Sequence, residues 1–262
     1  MKRLAILCTG ISVIGCSGET GNPNASLPVP AEIIDLGALV TEQTPEEFWG
    51  EGFLKEMNFT DSSTSDVLSR TFGPVSASNS YYRLFNHGGP QIDAPNHVGL
   101  GEGLDSYRVE SFAGPLKAFD FSHLPIGRSI TKKMLIHLPI NAGDKVLIYT
   151  GYAPPESEGA WPEAVALDYE AARYLAALPV RAIGTDAFNV ERMTDRSPVP
   201  SDDEIGRIIP AHLAFLSNGI PVFGQLVTVD QLLGRKAMYF VGAPLNIKDG
   251  DGKMARPLVL VY

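Results

Sequence analysis

The chain has 262 residues, of which 44% are apolar and 19% charged, a composition suited to a globular core and not to extended disorder. With 21 Lys and Arg against 30 Asp and Glu the formal charge is -9, and no basic run follows residue 3, which argues against nucleic acid as the main partner. No apolar run reaches the roughly 18 residues of a membrane span.

The chain opens with a basic Met1-Lys2-Arg3, followed by an apolar stretch from Leu4 to Gly15 that is too short to span and has the form of a signal peptide. Its end, Val13-Ile14-Gly15-Cys16, resembles a bacterial lipobox, and Ser17 to Pro28 reads as a flexible tether. The expected layout is a signal peptide over 1–15, a lipidated Cys16 with its tether over 16–30, and a folded domain over 31–262. The resemblance implies a periplasm-facing lipoprotein of the cell envelope, and Ser17 after the Cys favours the outer membrane. A plain secretory signal and a buried first strand are the alternatives. Cys8 and Cys16 are the two cysteines, so the domain itself has no thiol for a disulfide, a nucleophile or a zinc–thiolate site.

Within the domain, strands and helices alternate. Ile33 to Leu36 reads as a first strand, and Thr44-Pro45-Glu46-Glu47 opens a helix with Thr44 as N-cap. Ser80 to Phe85, Leu116 to Phe121 and Lys145 to Tyr149 read as strands. Asp168 to Leu178 reads as an amphipathic helix followed by a buried strand over Val180 to Thr185, with Asp186 at its end. Ser201 to Glu204 matches a capping box. Pro210-Ala211-His212 opens a helical turn that stops at Asn218-Gly219. Pro221 to Val229, Ala237 to Val241 and Pro257 to Tyr262 read as strands. This alternation predicts one mixed α/β domain.

The chemistry concentrates between His87 and His97, where two of the five histidines and an Asp fall within eleven residues. In an extended chain His87, Gln91, Asp93 and His97 share one face. Imidazole, carboxylate and amide oxygen together suit a divalent ion such as Mn or Zn. Such an ion would supply the hydroxide that a thiol-free domain otherwise lacks. A surface loop whose histidines cap turns is the simpler reading of the same residues. His123 and His137 sit in unremarkable contexts. Asp186 suits either orienting a site histidine or capping a turn.

The segment resembles the signature of the cyclase family, which includes bacterial kynurenine formamidases and isatin hydrolase. The family pattern His-x-Gly-Thr-His-x-Asp-x-Pro-x-His is matched at His87, Gly89, Asp93, Pro95 and His97. It departs at Pro90, where Thr is usual, and at Gln91, where formamidases carry a metal-binding His. Ala142 to Gly151, Ala182 to Asp186, Pro244-Leu245 and Asp249 to Arg256 resemble further family segments. The resemblance implies a single α/β domain of the swivelling β/β/α type, with a mixed, barrel-like sheet and surrounding helices.

It also implies a metal-dependent hydrolase of an amide C–N bond, in an aryl formamide such as N-formylkynurenine or a cyclic amide such as isatin. The implied metal ligands are His87, Gln91 and Asp93, with His97 and His212 catalytic. His212, near a helix N-terminus, should be biased toward neutral imidazole by the helix dipole. It matches a family His that binds a second metal. Twelve residues later, Gly224 stands where formamidases carry a ligand Glu, so one ion is expected, not two. Phe48, Trp49 and Gln225 are the expected substrate contacts, with core packing as the alternative for the two aromatics. The family is commonly dimeric or tetrameric, so a homo-oligomer is expected. A different reading, motivated by Pro90, Gln91 and Gly224, is a retired enzyme that binds a small ligand or an envelope partner.

Overall fold

The computed structural model describes residues 28–41, 44, 84–155, 163–192 and 209–262. Eleven strands and three α-helices are formed by these residues. In chain order they are β1 (Glu32–Asp35), β2 (Gln91–Asp93), β3 (Ala113–Asp120), β4 (Ser129–Ile130), α1 (Lys132–Leu135), β5 (Lys145–Tyr149), β6 (Ala166–Leu167) and α2 (Tyr169–Ala177). There follow β7 (Ala182–Thr185), α3 (Pro210–Leu216), β8 (Val222–Gly224), β9 (Met238–Val241), β10 (Gly252–Met254) and β11 (Leu258–Val261). Nine of the strands make one mixed sheet that curls into a half-barrel, in the order β1-β11-β9-β3-β5-β7-β8-β2-β10. β4 and β6 pair separately. This is the single mixed α/β domain that the alternation of elements predicts.

The middle of the sheet, β3-β5-β7-β8, is parallel, and both flanks are antiparallel. Parallel strands are covered on both faces, so they read as continuous apolar runs. In β5, Val146 and Ile148 pack under α2 and α3 with Ile183, Leu175 and Phe215. Leu147 points the other way, into a second core with Leu116, Phe223, Phe240 and Val259. On the β1-β11-β9 flank the outer face is open, and Ile33, Tyr239 and Val241 are exposed. α2 starts where the sequence predicts: the Asp168 carboxylate accepts the Ala171 N–H at 2.7 Å and caps the helix.

Four expectations are corrected. The predicted strand over Pro221 to Val229 is formed only at Val222–Gly224. Gln225 and Thr228 take left-handed backbone angles (φ 58° and 56°), which no strand tolerates, and Val229–Leu232 coils into a 3-10 turn. The stretch from His87 to His97 is extended only over β2. His87 lies in a turn before it and His97 in a 3-10 turn over Pro95–Val98, because Pro95 starts a helical turn more readily than it continues a ladder. Thr44, expected at the N-cap, is itself helical; its hydroxyl accepts the Thr41 N–H at 2.6 Å. Leu84 and Phe85 are irregular, not strand. The signal segment, most of the tether, Phe48, Trp49 and the Ser201 capping box lie outside the described residues.

Candidate metal centre

β2 lies between β8 and β10, and this places the signature residues against two other parts of the chain. Asp93 is opposite Val222 on one side and Gly252 on the other. It is 1% exposed. Its Oδ1 accepts from His87 Nδ1 at 2.9 Å and from Gln91 Nε2 at 3.1 Å. Its Oδ2 lies 3.1 Å from His212 Nε2. The Tyr107 hydroxyl donates to the Asp93 carbonyl at 3.0 Å. His97 stacks on His87 with ring centroids 4.3 Å apart and stands 5.6 Å from the His212 ring. His87, Gln91, Asp93, His97 and His212 therefore form one cluster. Only Gln91 and Asp93 arrive by the alternation of an extended strand; the histidines arrive by turns and by the packing of α3.

Two carboxylates without a site role in the sequence reading belong to the same cluster. The Asp251 Oδ2 lies 3.0 Å from His87 Nε2. The Glu191 Oε1 lies 2.7 Å from His212 Nδ1, and its Oε2 accepts the His212 backbone N–H at 2.8 Å. The signal for Asp251 was its place between two glycines. Gly252 has to be glycine, since a Cβ there would stand 2.6 Å from His87 Cε1 and 2.8 Å from the Ile92 carbonyl oxygen. Glu191 gave no local signal, because its partner is 21 residues further along the chain.

The electrostatics follow from this wiring. Burial opposes a charge on Asp93, but the hydrogen bonds from His212 and His87 hold its carboxyl far below the usual range. Burial likewise opposes charge on His87, and the Asp93 and Asp251 carboxylates outweigh it and raise its pKa. His212 is raised to about 10, since the Glu191 and Asp93 carboxylates together exceed the penalty of burial. The expected dipole bias toward neutral His212 is thus overridden: a full negative charge at 2.7 Å exceeds the partial charge of a helix end. Among the described residues no carboxylate is hydrogen-bonded to His97, and burial, with the neighbouring His212 and His87, outweighs the more distant Asp93 and Asp251 and lowers its pKa.

Gln91 and Gly224, the two departures from the formamidase ligands, are direct partners across the β2–β8 ladder. A Cβ at position 224 would meet the Gln91 side chain at 3.7 Å, so the amide lies alongside the missing side chain. The Oε1 of Gln91 is buried and has no hydrogen-bond partner among the described residues. A buried amide with an orphaned oxygen, whose nitrogen contacts His87 and Asp93, is a donor type that fits a divalent cation beside imidazole and carboxylate. Two overlapping sets of donors could hold one, His87 with His97 and Asp251, and Asp93 with His97 and His212; within each set the ligand atoms lie within 4.8 Å of one another. Which ion it would be is not fixed by these donors, since imidazole, carboxylate and amide serve several divalent metals.

The remaining predicted residues fall as follows. Gln225 is fully buried behind His87, whose carbonyl accepts from its Nε2 at 3.2 Å. Asp186 stays out of the cluster and accepts from Thr150 N, Thr150 Oγ1 and Tyr152 N, fixing the loop after β5. His123 and His137 are exposed and remote from the cluster's hydrogen bonds.

The comparisons with known proteins agree with this picture. The family model "Putative cyclase" matches residues 30–192, more than half of the chain. No curated protein matches the sequence. Among solved structures, isatin hydrolase A from Labrenzia aggregata, in a complex with benzyl benzoate, superposes with a TM-score of 0.69 at 23% identity, covering 88% of this chain and 93% of that one. Isatin hydrolase A from Ralstonia solanacearum gives 0.66 at 19% identity, covering 88% and 92%. A potential metal-dependent hydrolase with cyclase activity gives 0.62 at 24% identity, covering 88% and 98%. The fold is that of these structures. The chain belongs to the cyclase family.

Proposed function

We propose that the protein is a metal-dependent hydrolase that cleaves the C–N bond of a small amide, an aryl formamide or a cyclic amide of the isatin type. The observation that carries this reading is the buried cluster of donors, in which Asp93, His97 and His212 offer ligand atoms within 4.8 Å of one another and the Gln91 amide lies against Asp93 and His87. His87, Gln91 and Asp93 would hold one divalent ion, Mn or Zn. When bound, such an ion polarises an amide carbonyl and lowers the pKa of water toward neutrality. His97 is the residue suited to move a proton. Burial keeps it neutral near pH 7, it is partly accessible, and it lies against both other histidines. It takes a proton from the attacking water and delivers one to the leaving nitrogen. His212 has both nitrogens facing carboxylates, so its part is to hold Asp93 ionised and oriented. The cyclase family and its isatin-hydrolase fold support the reaction class.

The test is an assay on chelator-treated protein reloaded with Mn or Zn and offered formanilides, isatin and lactams. Turnover should depend on the added metal, and His97→Asn should lose at least about 100-fold in kcat while keeping its metal. Turnover that survives both the chelator and that substitution would refute the reading. Metal uptake without turnover on any of these amides would favour the ligand-binding alternative, for which the replacement of two family ligands at Gln91 and Gly224 is the specific observation.

A further inference from the structure

Four short contacts connect the cluster into an unbroken chain of alternating carboxylates and imidazoles. From Asp251 Oδ2 it runs 3.0 Å to His87 Nε2, and from His87 Nδ1 2.9 Å to Asp93 Oδ1. From Asp93 Oδ2 it runs 3.1 Å to His212 Nε2, and from His212 Nδ1 2.7 Å to Glu191 Oε1. Each imidazole thus turns one nitrogen inward to Asp93 and the other outward to a carboxylate. The Gln91 amide joins the inner side, with its Nε2 3.1 Å from Asp93 Oδ1 and 3.2 Å from His87 Nδ1.

We propose that Asp251 and Glu191 are positioning residues of the metal centre: each holds the outer nitrogen of its histidine, so that His87 presents Nδ1, and His212 Nε2, to the space shared with Asp93 and Gln91. This rests on the metal-dependent reading above and deepens it, because neither carboxylate lies in the signature segment. An imidazole can present either of two nitrogens, and the hydrogen bond at the far one decides which.

Both carboxylates are themselves fixed. Asp251 Oδ1 accepts from Asn86 Nδ2 at 3.1 Å, and the Asp251 carbonyl accepts the Ala94 N–H at 2.8 Å. Gly252 leaves the space into which the His87 ring fits against β10. Glu191 is 2% exposed, forms a bridge with Leu167, and grips α3 through the His212 backbone N–H as well as its ring. The two supports come from opposite ends of the cluster, the loop before β10 and the segment after β7, so a single loop movement would not release both.

The experiment is a chelator-competition titration of the full chain with Zn2+ alone, beside the absorption spectrum of the Co2+-loaded protein. Asp251→Asn, at the more open end, should keep the melting temperature of the metal-free protein. It should bind Zn2+ about 10- to 100-fold more weakly and shift the Co2+ bands at saturation, which a purely structural role would leave in place. Glu191→Gln should weaken binding by a similar factor, and if it does not fold the Asp251→Asn arm decides alone. Unchanged affinity and an unchanged Co2+ spectrum in Asp251→Asn would overturn this inference and leave the metal reading standing. No uptake of Zn2+ or Mn2+ by the unsubstituted protein would overturn that reading, and this inference with it.

Discussion

Gly252 shows how much of the centre depends on single atoms. The His87 ring occupies the volume that any side chain at 252 would need, and the nearest neighbours include the Ile92 carbonyl, which cannot rotate away. Gly252→Ala should therefore destabilise the protein by about 1–3 kcal/mol, the usual cost of overpacking. It should also weaken metal binding, because His87 is pushed off both Asp93 and Asp251. Urea denaturation and a Zn2+ titration of the same variant check both, and unaltered values in the two would refute the assignment of His87. At this scale the signature was well legible. His87, Gln91, Asp93 and His97 were singled out from spacing and residue type, and they meet. What failed was the route, since alternation accounts for β2 alone. Glu191 was not legible at all, because nothing local distinguishes a glutamate whose partner arrives on another element.

At the scale of elements, β3 and β5 are joined by their ladder and by a buried amine. Lys145 opens β5 and is 1% exposed, with its Nζ donating to the Ala113 and Glu110 carbonyls at 2.8 and 3.1 Å. Burial, with a smaller push from Arg181, brings its pKa down to about 8 from the ordinary 10.5. Between those values the folded protein has released a proton that the unfolded chain still holds. Stability contributed by this group therefore rises with pH through that window, with a slope of up to about 1.4 kcal/mol per pH unit, and below pH 8 it is constant. The unfolding free energy of the natural protein should gain on that of Lys145→Met between pH 8 and 10. Parallel curves would show that the amine titrates as freely in the fold as outside it. The strands themselves were largely legible: β5, β9 and β11 fall within a residue or two of their predicted bounds, because apolar runs between turn residues have few other uses. The break after Gly224 was not, since left-handed Gln225 is imposed by its place under His87 and is foreign to glutamine's own preferences.

For the molecule as a whole, the sheet presents a covered parallel centre and an antiparallel flank open on one side. Among the described residues no helix is long and apolar enough to cross a membrane. From the lipobox-like Val13-Ile14-Gly15-Cys16 we propose that a lipid on Cys16 anchors the protein, with the tether holding the domain in the periplasm. Mass spectrometry of the N-terminal peptide from the natural host should find diacylglycerol on Cys16 and no trace of residues 1–15; an intact Met1 would refute it. The sequence by itself determined the family, the mixed α/β class and five members of the cluster, because these are written in local spacing, apolar patterning and the resemblance they carry. Only the tertiary structure decided that Gln91 faces Gly224, that the carboxylates around His212 raise its pKa, and that Asp251 and Glu191 close the chain of carboxylates. Those facts depend on which distant strands pair and on the Coulomb interaction of groups brought within 3 Å by folding, and neither is encoded in any single stretch of residues.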